Sequence, residues 1–481
     1  MLLDPIDYSW AIELTARGIG LIYVIAYVPF LYQYQGLWGK QGICPIETYL
    51  NMLEMRLGTR RFWKAPTLFW FRSDEKAILG LVWIGILLGI LLFLGVYPCL
   101  MLFLLYFIHL SWANAGQDFM GFGWETYLME ITVGLFLTMA TAPLNYAGWI
   151  ALNVLLFRFF FQAGITKWLS GDPSWRKLTA IAYHYLTQPI PNAISWYAYR
   201  LPLAFQKLTV LFLFWAEVVV PFLIFSPPLI RLFAFSQFIM LQIGIGITGN
   251  FSFLNAMTAV FCITLIHNAY LAPWLGAPPY FMDSHWLWYG LISLLGLSYL
   301  TLQLLNLYQT FRRNQVVDRL MSLLYPFHLA YTHAIFSIMT TERLEVVIEG
   351  SLDGKNWNEY VFKYKPGPLD RIPCQIAPFQ PRLDWQAWFL PFSPFKRQQW
   401  LQRFFYCLLS GYQPVLKLLA HDPFPGQKPL YIRALLYDYT FSTPAEKKQT
   451  GNLWKRRLIG EYSDICQLPI YQPLVKISHF D

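Results

Sequence analysis

The sequence predicts a polytopic α-helical membrane bundle of about nine spans with a C-terminal α+β soluble domain. Hydrophobic residues make up 56% of the 481 residues and charged residues only 13%, which is too apolar for a water-soluble domain of average composition. Apolar stretches of about 20 residues, the length that crosses a bilayer, recur through the first two thirds of the chain. Charge density then rises: residues 1–310 carry 15 basic and 13 acidic side chains, whereas residues 311–481 carry 21 and 14.

The rise in charge density marks the predicted domain boundary. Residues 1–310 form the transmembrane bundle, which includes a long polar loop at 35–76, residues 311–340 form a linker, and residues 341–481 form the C-terminal domain. About 140 residues are enough for a domain with its own core. The acidic N-terminus lacks the basic region and cleavage site of a signal peptide, so we expect insertion to rely on the first internal span.

Nine stretches have the length and composition of membrane spans. They lie near residues 10–34, 77–95, 96–113, 124–141, 147–166, 203–225, 229–247, 250–270 and 286–306. The seventh and eighth meet at Gly249 and Asn250 and form either two spans or a re-entrant pair. Seven basic residues in the polar loop favour a cytoplasmic position for that loop and for the tail.

In the C-terminal domain the periodicity changes along the chain. The predicted elements are a strand at 344–350, a strand at 358–365, helices at 384–390, 398–409 and 413–420, and a strand at 431–442. Asp353 and Gly354 supply a turn between the first two strands, which predicts a β-hairpin. The domain is therefore expected to be a small α+β fold with an aromatic-rich surface.

The stretch from Arg158 to Pro202 combines more potential chemical groups than any other part of the N-terminal two thirds. Its notable residues are Arg158, Lys167, Ser170, Gly171, Asp172, Trp175, Arg176, His184, Tyr185, Gln188 and Pro189. Lys167 and His184 are the candidates for catalysis, because together they could supply a base or a nucleophile. The alternative interpretation is that these residues fix the geometry of a membrane-interface turn, with His184 hydrogen-bonded to a neighbouring loop.

Charged side chains inside the predicted spans each need a partner or an aqueous cavity, because burying one costs about 2.5–3.5 kcal/mol on insertion scales. They are Glu13, Arg17, Glu125, Glu130, Arg158, Lys207 and Glu217. Glu13 and Arg17 are four residues apart and are expected to pair. Glu125 and Glu130 lie about 140° apart around a helix, so one of them is expected to pair with Arg158, leaving the other for a different role, acid/base catalysis included.

No cofactor, metal or nucleic-acid partner is predicted; the expected partner of the bundle is the lipid bilayer. The histidines lack ligand spacing, apart from His328 and His333 five residues apart, and no glycine-rich phosphate loop is present. Six cysteines in no paired spacing leave the redox compartment open. The basic excess of the tail is interpreted as a solvated surface, with binding to anionic lipid headgroups as the alternative.

Long, ordered motifs show a resemblance that composition cannot show. They are GLWGKQGICPIETYL, FGWETYLMEITVGLF, KWLSGDPSWRKLTAIAYHYLTQPIPNAISWYAYRLP, TGNFSFLNAMTAVFCITL, DGKNWNEYVFKYKPG, PRLDWQAWF and DPFPGQKPLYIRALLYDYTF. Through them the chain resembles the lipase maturation factor family. The resemblance implies a multi-span chaperone, in the endoplasmic reticulum membrane of animals or the cell membrane of a bacterium, that helps secreted lipases fold and assemble into active dimers.

The resemblance also implies that the C-terminal domain engages the client on the lumenal or periplasmic side, opposite to the side that the charge pattern favours. The candidate client-binding residues are Trp357, Tyr360, Trp385, Trp388, Tyr431 and Arg433. Two departures count against acid/base roles. Leu186 stands where the family usually has an acid in its HYxTQP motif, and His267 and Asn268 replace paired acidic residues.

Two functions are alternatives to a non-enzymatic folding factor. The SGD-W-HY-TQP pattern is more distantly similar to the membrane bundle of vitamin K-dependent carboxylase, which implies a membrane-embedded enzyme acting on a lipophilic or protein substrate. Lys167 and His184 would then handle protons, oriented by Asp172 and Arg176, in a cavity that also holds an intramembrane glutamate. A transporter would require internal repeats and broken helices, and no convincing repeat is present.

Overall fold

The computed structural model describes residues 4–277 and 284–468. The helices of its N-terminal part are α1 Ser9–Trp38, α2 Ile46–Leu57, α3 Arg61–Lys64, α4 Glu75–Phe93, α5 Pro98–Ala115, α6 Gly123–Met139, α7 Tyr146–Leu169, α8 Pro173–Arg176, α9 Ala180–Thr187, α10 Ala193–Ala198, α11 Leu203–Phe214, α12 Pro228–Thr248, α13 Leu254–Cys262, α14 Asn268–Leu275, α15 Trp286–Phe311 and α16 Gln315–Leu324. α11 continues through a π-helical turn, Trp215–Val219, and a 3-10 segment, Val220–Phe225. The predicted fold class, a helical membrane bundle with a C-terminal α+β domain, is confirmed.

Seven helical segments among the described residues are long and apolar enough to cross a membrane, compared with the nine predicted spans. They are α1, α4, α5, α7, Leu203–Phe225, α12 and α15. The predicted eighth span is broken: the pair Leu254–Leu265 and Asn268–Leu275 is bent by 100° and makes an eighth crossing only if it is counted as one. The predicted fourth span is α6, which has 17 residues and buries most of its side chains inside the bundle.

Small residues let the first helices pack closely. α1 lies along α4, and a Cβ added to Gly20 would come 2.6 Å from the backbone oxygen of Gly89. Glycine at such a crossing allows two membrane helices to approach at backbone distance. α7 packs against both α6 and α15. The centre of the bundle is therefore formed by α6 and α7, the two helices that carry Glu125, Glu130 and Arg158.

The C-terminal part contains β1 Arg343–Ser351, β2 Asn358–Phe362, α17 Arg382–Ala387, α18 Gln399–Leu409, α19 Gln413–Leu416, β3 Leu419–His421, β4 Tyr431–Phe441, α20 Pro444–Thr450 and β5 Trp454–Glu461. The strands form one antiparallel sheet in the order β3-β2-β1-β4-β5. The predicted hairpin is confirmed as β1 and β2, and its turn contains Gly354 at φ +72°. One face of the sheet buries Val346 and Ile348 in the same core as Phe404 of α18.

The segment between α15 and β1 is packed against the bundle. Tyr331 N donates a hydrogen bond to the Glu130 carboxylate at 2.5 Å, and Met339 N donates one to the Asp172 carboxylate at 2.6 Å. Trp175 Nε1 donates to Phe336 O at 3.0 Å. These contacts fix the path of the chain from the last span to the sheet.

Candidate functional site

Residues 167–202, which we call the elbow, turn the chain between α7 and α11 at one end of the bundle. Gly171 has φ +76°, a left-handed conformation that glycine adopts at low cost. Asp172 caps α8 by accepting hydrogen bonds from Ser174 N and Oγ, both at 2.7 Å. Burial alone would raise the pKa of Asp172, but the hydrogen bonds from Met339 and Ser174 lower it below its ordinary value. Asp172 is therefore a structural anchor of the elbow.

Lys167, in the last turn of α7, forms a buried ion pair with Glu217. Its Nζ donates to Glu217 Oε2 at 2.8 Å and to Ala163 O at 2.9 Å, and it lies 5.5 Å from the centroid of the Trp175 ring. Glu217 is the middle residue of the π-helical turn, a geometry frequent at functional sites. Gly164 permits the approach, since a Cβ there would lie 2.8 Å from Glu217 Cβ. The lysine and the glutamate thus neutralise each other.

His184, on α9, completes this group. Its ring stacks on Phe251 at a centroid distance of 5.9 Å and meets Phe336 edge-on at 5.0 Å. Burial and the charge of Lys167 lower the pKa of His184 to about 4, so the imidazole is neutral at pH 7. Lys167, His184 and Glu217 line one cavity of about 510 Å³, together with Trp175 and Tyr185.

The cavity brings together the two residues for which the sequence suggested chemistry, but it does not include their predicted orienting partners. Arg176 is exposed, and Asp172 accepts hydrogen bonds from Ser174 and Met339. Neither side chain hydrogen-bonds Lys167 or His184 within the described parts of the chain. The structure therefore gives Asp172 and Arg176 no orienting role, and it engages the Lys167 amine in an ion pair rather than leaving it free.

The partner of Arg158 is Glu130. Arg158 Nη2 hydrogen-bonds and pairs with Glu130 Oε2, while Arg158 Nη1 donates to Asn306 Oδ1 at 2.8 Å and to Tyr331 O at 2.5 Å. His333 Nε2 lies 3.4 Å from the same carboxylate. The predicted pair of Glu13 and Arg17 is also present, with Arg17 Nε donating at 2.7 Å. Both arginines and both glutamates are therefore paired with charged groups of the protein itself.

Glu125 is paired with a residue of the C-terminal domain. Arg382 Nη2 donates to Glu125 Oε1 at 2.7 Å, and the other carboxylate oxygen lies 3.0 Å from His109 Nε2. Arg382 Nη1 donates to Phe119 O at 2.5 Å, and the guanidinium lies 4.6 Å from the Phe30 ring centroid. All of these groups are buried. An ion pair in the middle of the molecule therefore joins the bundle to the domain.

Arg343 and Trp388 bind the backbone of the HYLTQP segment. Arg343 donates to Leu186 O at 2.7 Å, Gln188 O at 2.6 Å and Pro189 O at 3.0 Å, and Trp388 Nε1 donates to Thr187 O at 2.9 Å. Carbonyls at the end of a helix lack intrahelical partners, and α9 ends at Thr187. Two side chains of the C-terminal domain thus satisfy four successive carbonyls of the bundle.

A second set of contacts joins the elbow to the TGN segment and to the loop at 374–377. Gln188 Nε2 donates to Ser195 Oγ at 2.9 Å and to Thr248 O at 2.8 Å. Asn250 Nδ2 donates to Cys374 O at 2.9 Å, and Asn250 Oδ1 accepts from the backbone of 376 and 377. Asn192 Nδ2 donates to Gln375 Oε1 at 2.6 Å. The HYLTQP and TGN motifs, which are far apart along the chain, therefore meet the C-terminal domain at one place, which we call the junction.

The predicted client-binding residues divide into three groups. Tyr360 and Trp385 are each 3% exposed, so the prediction that they lie on a contact surface is wrong. The Tyr360 ring packs on Phe424 inside the domain, and the Trp385 ring packs against Trp124 of the bundle. Trp388 is part of the junction with the elbow. Trp357, Tyr431 and Arg433 remain partly exposed, and the Arg433 guanidinium lies 4.1 Å from the Trp357 ring centroid.

Sequence reasoning missed Arg343 and Arg382, the two residues that make most of the junction. Both lie in a charged tail, where a basic residue is ordinarily solvated. The available signal was indirect: α6 contains two carboxylates and its neighbour α7 supplies one internal guanidinium, so a further cation was required.

The fold and these sites define an integral membrane protein whose C-terminal α+β domain is joined to its helical bundle by buried polar contacts. The family model described as the lipase maturation factor transmembrane domain matches residues 10–273, and that of the lipase maturation factor C-terminal domain matches residues 329–464. The chain belongs to the lipase maturation factor family.

Relatives match over most of their length. Lipase maturation factor 2 of Xenopus laevis is 31% identical over 92% of this chain and 80% of its own. Lipase maturation factor 1 of Bos taurus is 30% identical, with 93% and 87% covered, and lipase maturation factor 2 of Homo sapiens is 29% identical, with 94% and 82% covered. No solved structure matches significantly. Nothing in these comparisons supports the carboxylase alternative.

Proposed function

We propose that this chain supports the maturation of a secreted lipase, as a membrane-resident factor that assists its folding and assembly. The observation that carries the proposal is the match of both halves of the chain to the lipase maturation factor family. The buried pair of Arg382 with Glu125 supports it further, because it fixes the orientation of the C-terminal domain relative to the bundle. A client bound to the domain would therefore be held at a defined place beside the membrane.

The proposed client contact is the patch formed by Trp357, Tyr431 and Arg433, which we call the sheet patch. Partly exposed aromatic rings beside an arginine are common anchors of protein interfaces. Arg433 is held in place by Glu349 at 2.8 Å. Tyr431 pairs with Ser351 at one end of β1, and Arg343 lies at the other end. At ~3.4 Å per residue, the two ends of the strand are about 27 Å apart. A client on the sheet patch would leave the junction intact.

The proposal places the protein in the endoplasmic reticulum membrane if the cell is eukaryotic, or in the cell membrane if it is bacterial. The C-terminal domain would face the lumen or periplasm, where secreted lipases fold. Lys448 is exposed, so a K448C variant in a C374S background can be labelled in sealed vesicles with an impermeant maleimide. Labelling only after the vesicles are opened is expected for a lumenal domain, and labelling of intact right-side-out microsomes contradicts it.

The functional test is coexpression of the full chain with a secreted lipase in cells that lack their own maturation factor. Wild-type protein is expected to raise secreted lipase activity at constant lipase synthesis. The W357A/Y431A variant is expected to lose most of this effect, and the matched control I372S, which changes a residue 60% exposed elsewhere on the domain, is expected to keep it. A wild-type chain without effect contradicts the function, whereas a fully active W357A/Y431A variant contradicts only the contact surface.

A further inference from the structure

The cavity beside the elbow has the size and lining of a small-molecule site. Its volume of about 510 Å³ lies within the ~300–1,000 Å³ typical of ligand pockets. Its walls come from α7, the elbow, α11 with its π-helical turn, α12, α13 and the segment at 335–339. Most of the lining is apolar, including Phe159, Phe160 and Leu213, so the bulk of any ligand must be hydrophobic.

The cavity opens sideways, toward lipid. α12 packs closely against Val220–Phe225, the far end of the adjoining span, and diverges from α11. Lining residues at the rim are exposed: Phe205 of α11 is 54% exposed and Met240 of α12 is 50% exposed. An apolar side chain exposed on a spanning helix faces hydrocarbon. The opening between α11 and α12 therefore admits a molecule from the bilayer.

Polar groups without protein partners face this apolar space. Gln242 is 7% exposed and lines the cavity, yet its amide forms no hydrogen bond within residues 4–277 and 284–468. The side chains of Asn255 and His184, which are partly exposed and also line the cavity, form no hydrogen bond in this part of the chain either. A buried amide without a hydrogen bond costs about 1–3 kcal/mol. Gln242 is the buried amide, and together with the partly exposed Asn255 and His184 it forms a set of polar groups to which a ligand can supply the missing hydrogen-bond partners.

The lining of the cavity has no net charge, and this favours a neutral ligand. Lys167 is neutralised by Glu217 at 2.8 Å, and His184 is neutral at pH 7 because its pKa is lowered to about 4. No cation is left uncompensated among the described lining residues, so a carboxylate or phosphate would be buried without a counter-charge, which is costly. A neutral head that donates and accepts hydrogen bonds is the better match.

We propose that the cavity binds a neutral single-chain amphiphile of the monoacylglycerol class. Its acyl chain would lie along the apolar walls, and its hydroxyl and ester groups would hydrogen-bond Gln242, Asn255 and His184. The cavity accommodates one chain with a small head rather than a two-chain phospholipid. This inference rests on the geometry of the cavity and does not depend on the proposed role in lipase maturation.

The test is binding of radiolabelled monoolein to the purified full-length protein in nanodiscs, with oleate and lysophosphatidate as competitors. G244W fills the mouth of the cavity, since a Cβ at Gly244 meets nothing within 4 Å among described atoms, and G80W is its matched control on α4, where a Cβ is equally unobstructed. Q242L removes the unpartnered amide at nearly constant volume. We expect G244W to weaken monoolein binding at least tenfold, Q242L to weaken it about threefold to tenfold, and G80W to bind as wild type.

A photoactivatable monoolein should also label residues of the elbow, α11 or α12, as mapped by peptide mass spectrometry. Competition by monoolein over oleate and lysophosphatidate supports the neutral head. The proposal is overturned if wild type binds no monoolein, if G244W and Q242L both bind it as wild type does, or if oleate or lysophosphatidate competes at least as well as monoolein.

Discussion

Replacing Arg382 is expected to destabilise the bundle and the C-terminal domain together. The side chains of Arg382 and Glu125 are 0% and 1% exposed, and their charged atoms are 2.7 Å apart. R382M keeps much of the aliphatic stem but leaves the Glu125 carboxylate with His109 as its remaining partner. Removing one member of a buried ion pair costs about 3–5 kcal/mol because the other charge stays desolvated. That is a large part of a total stability of about 5–15 kcal/mol.

The assay is denaturant titration of purified full-length protein in a mild detergent, followed by tryptophan fluorescence. E125Q/R382M removes both charges and is expected to recover more than half of the loss, since replacing a buried pair as a unit is often nearly neutral. R457M is the matched control: its guanidinium is 77% exposed and 3.5 Å from Asp438, and such surface pairs contribute about 0–1 kcal/mol. The reasoning is refuted if R382M is within about 1 kcal/mol of wild type, or if the double variant is as unstable as R382M.

Three further predictions concern the elbow. R343A leaves three carbonyls without their donor and is expected to lower the free energy of unfolding by about 2–4 kcal/mol, with faster hydrogen exchange at 186–195. R343K should restore slow exchange only in part, because an ammonium lacks the planar fork of a guanidinium. Unchanged exchange in R343A would disprove the role. G249A is expected to lower the free energy of unfolding by about 1–3 kcal/mol, because its Cβ would meet Gln188 Oε1 and lie 2.6 Å from the Phe251 ring. G80A is the control, since a Cβ at Gly80 has open space. Equal thermal stabilities of the two variants would contradict this prediction. The pKa of His184 in the folded protein, about 4, is below its ordinary value of 6.5, so the stabilisation from the neutral imidazole is full above pH 6.5 and is lost as the pH falls toward 4. H184N should flatten this part of the profile of unfolding free energy against pH. Overlapping profiles for wild type and H184N would contradict this prediction.

Elements whose identity depends on local properties were predictable from the sequence. The spans at α7 and α12 follow from the length of an apolar run, and the hairpin of β1 and β2 from alternation around Asp353 and Gly354. β3 has three residues, and β5 reads WKRRLIGE without alternation, because most of its side chains on both faces are exposed at the edge of the sheet. The 100° bend between α13 and α14 lies at His267, whose side chain caps α14, and both helices pack against α1. The length of the apolar run alone did not predict it.

The candidate site was predictable only as a list of side chains. The need of Glu125 for a cation follows from its place in an apolar helix, but Arg382 lies 257 residues further along the chain, and nothing local connects the two. The same limit applies to Tyr360 and Trp385, whose aromatic character is equally typical of a core and of an interface. Lys167 and His184 were found because their stretch is unusually polar, whereas Glu217 was linked to them only by the fold.

The bundle and the C-terminal domain form one folding unit, because each supplies partners for buried polar groups of the other. A bundle truncated before β1 would hold Glu125 in an apolar helix without Arg382, at a cost of about 2.5–3.5 kcal/mol on insertion scales, and would leave the carbonyls at 186–189 unbound. An isolated C-terminal domain would in turn lose the groups that Arg343 and Arg382 bind. The proposed client contact and the membrane anchor are therefore best distinguished with variants of the intact protein rather than by cutting the chain.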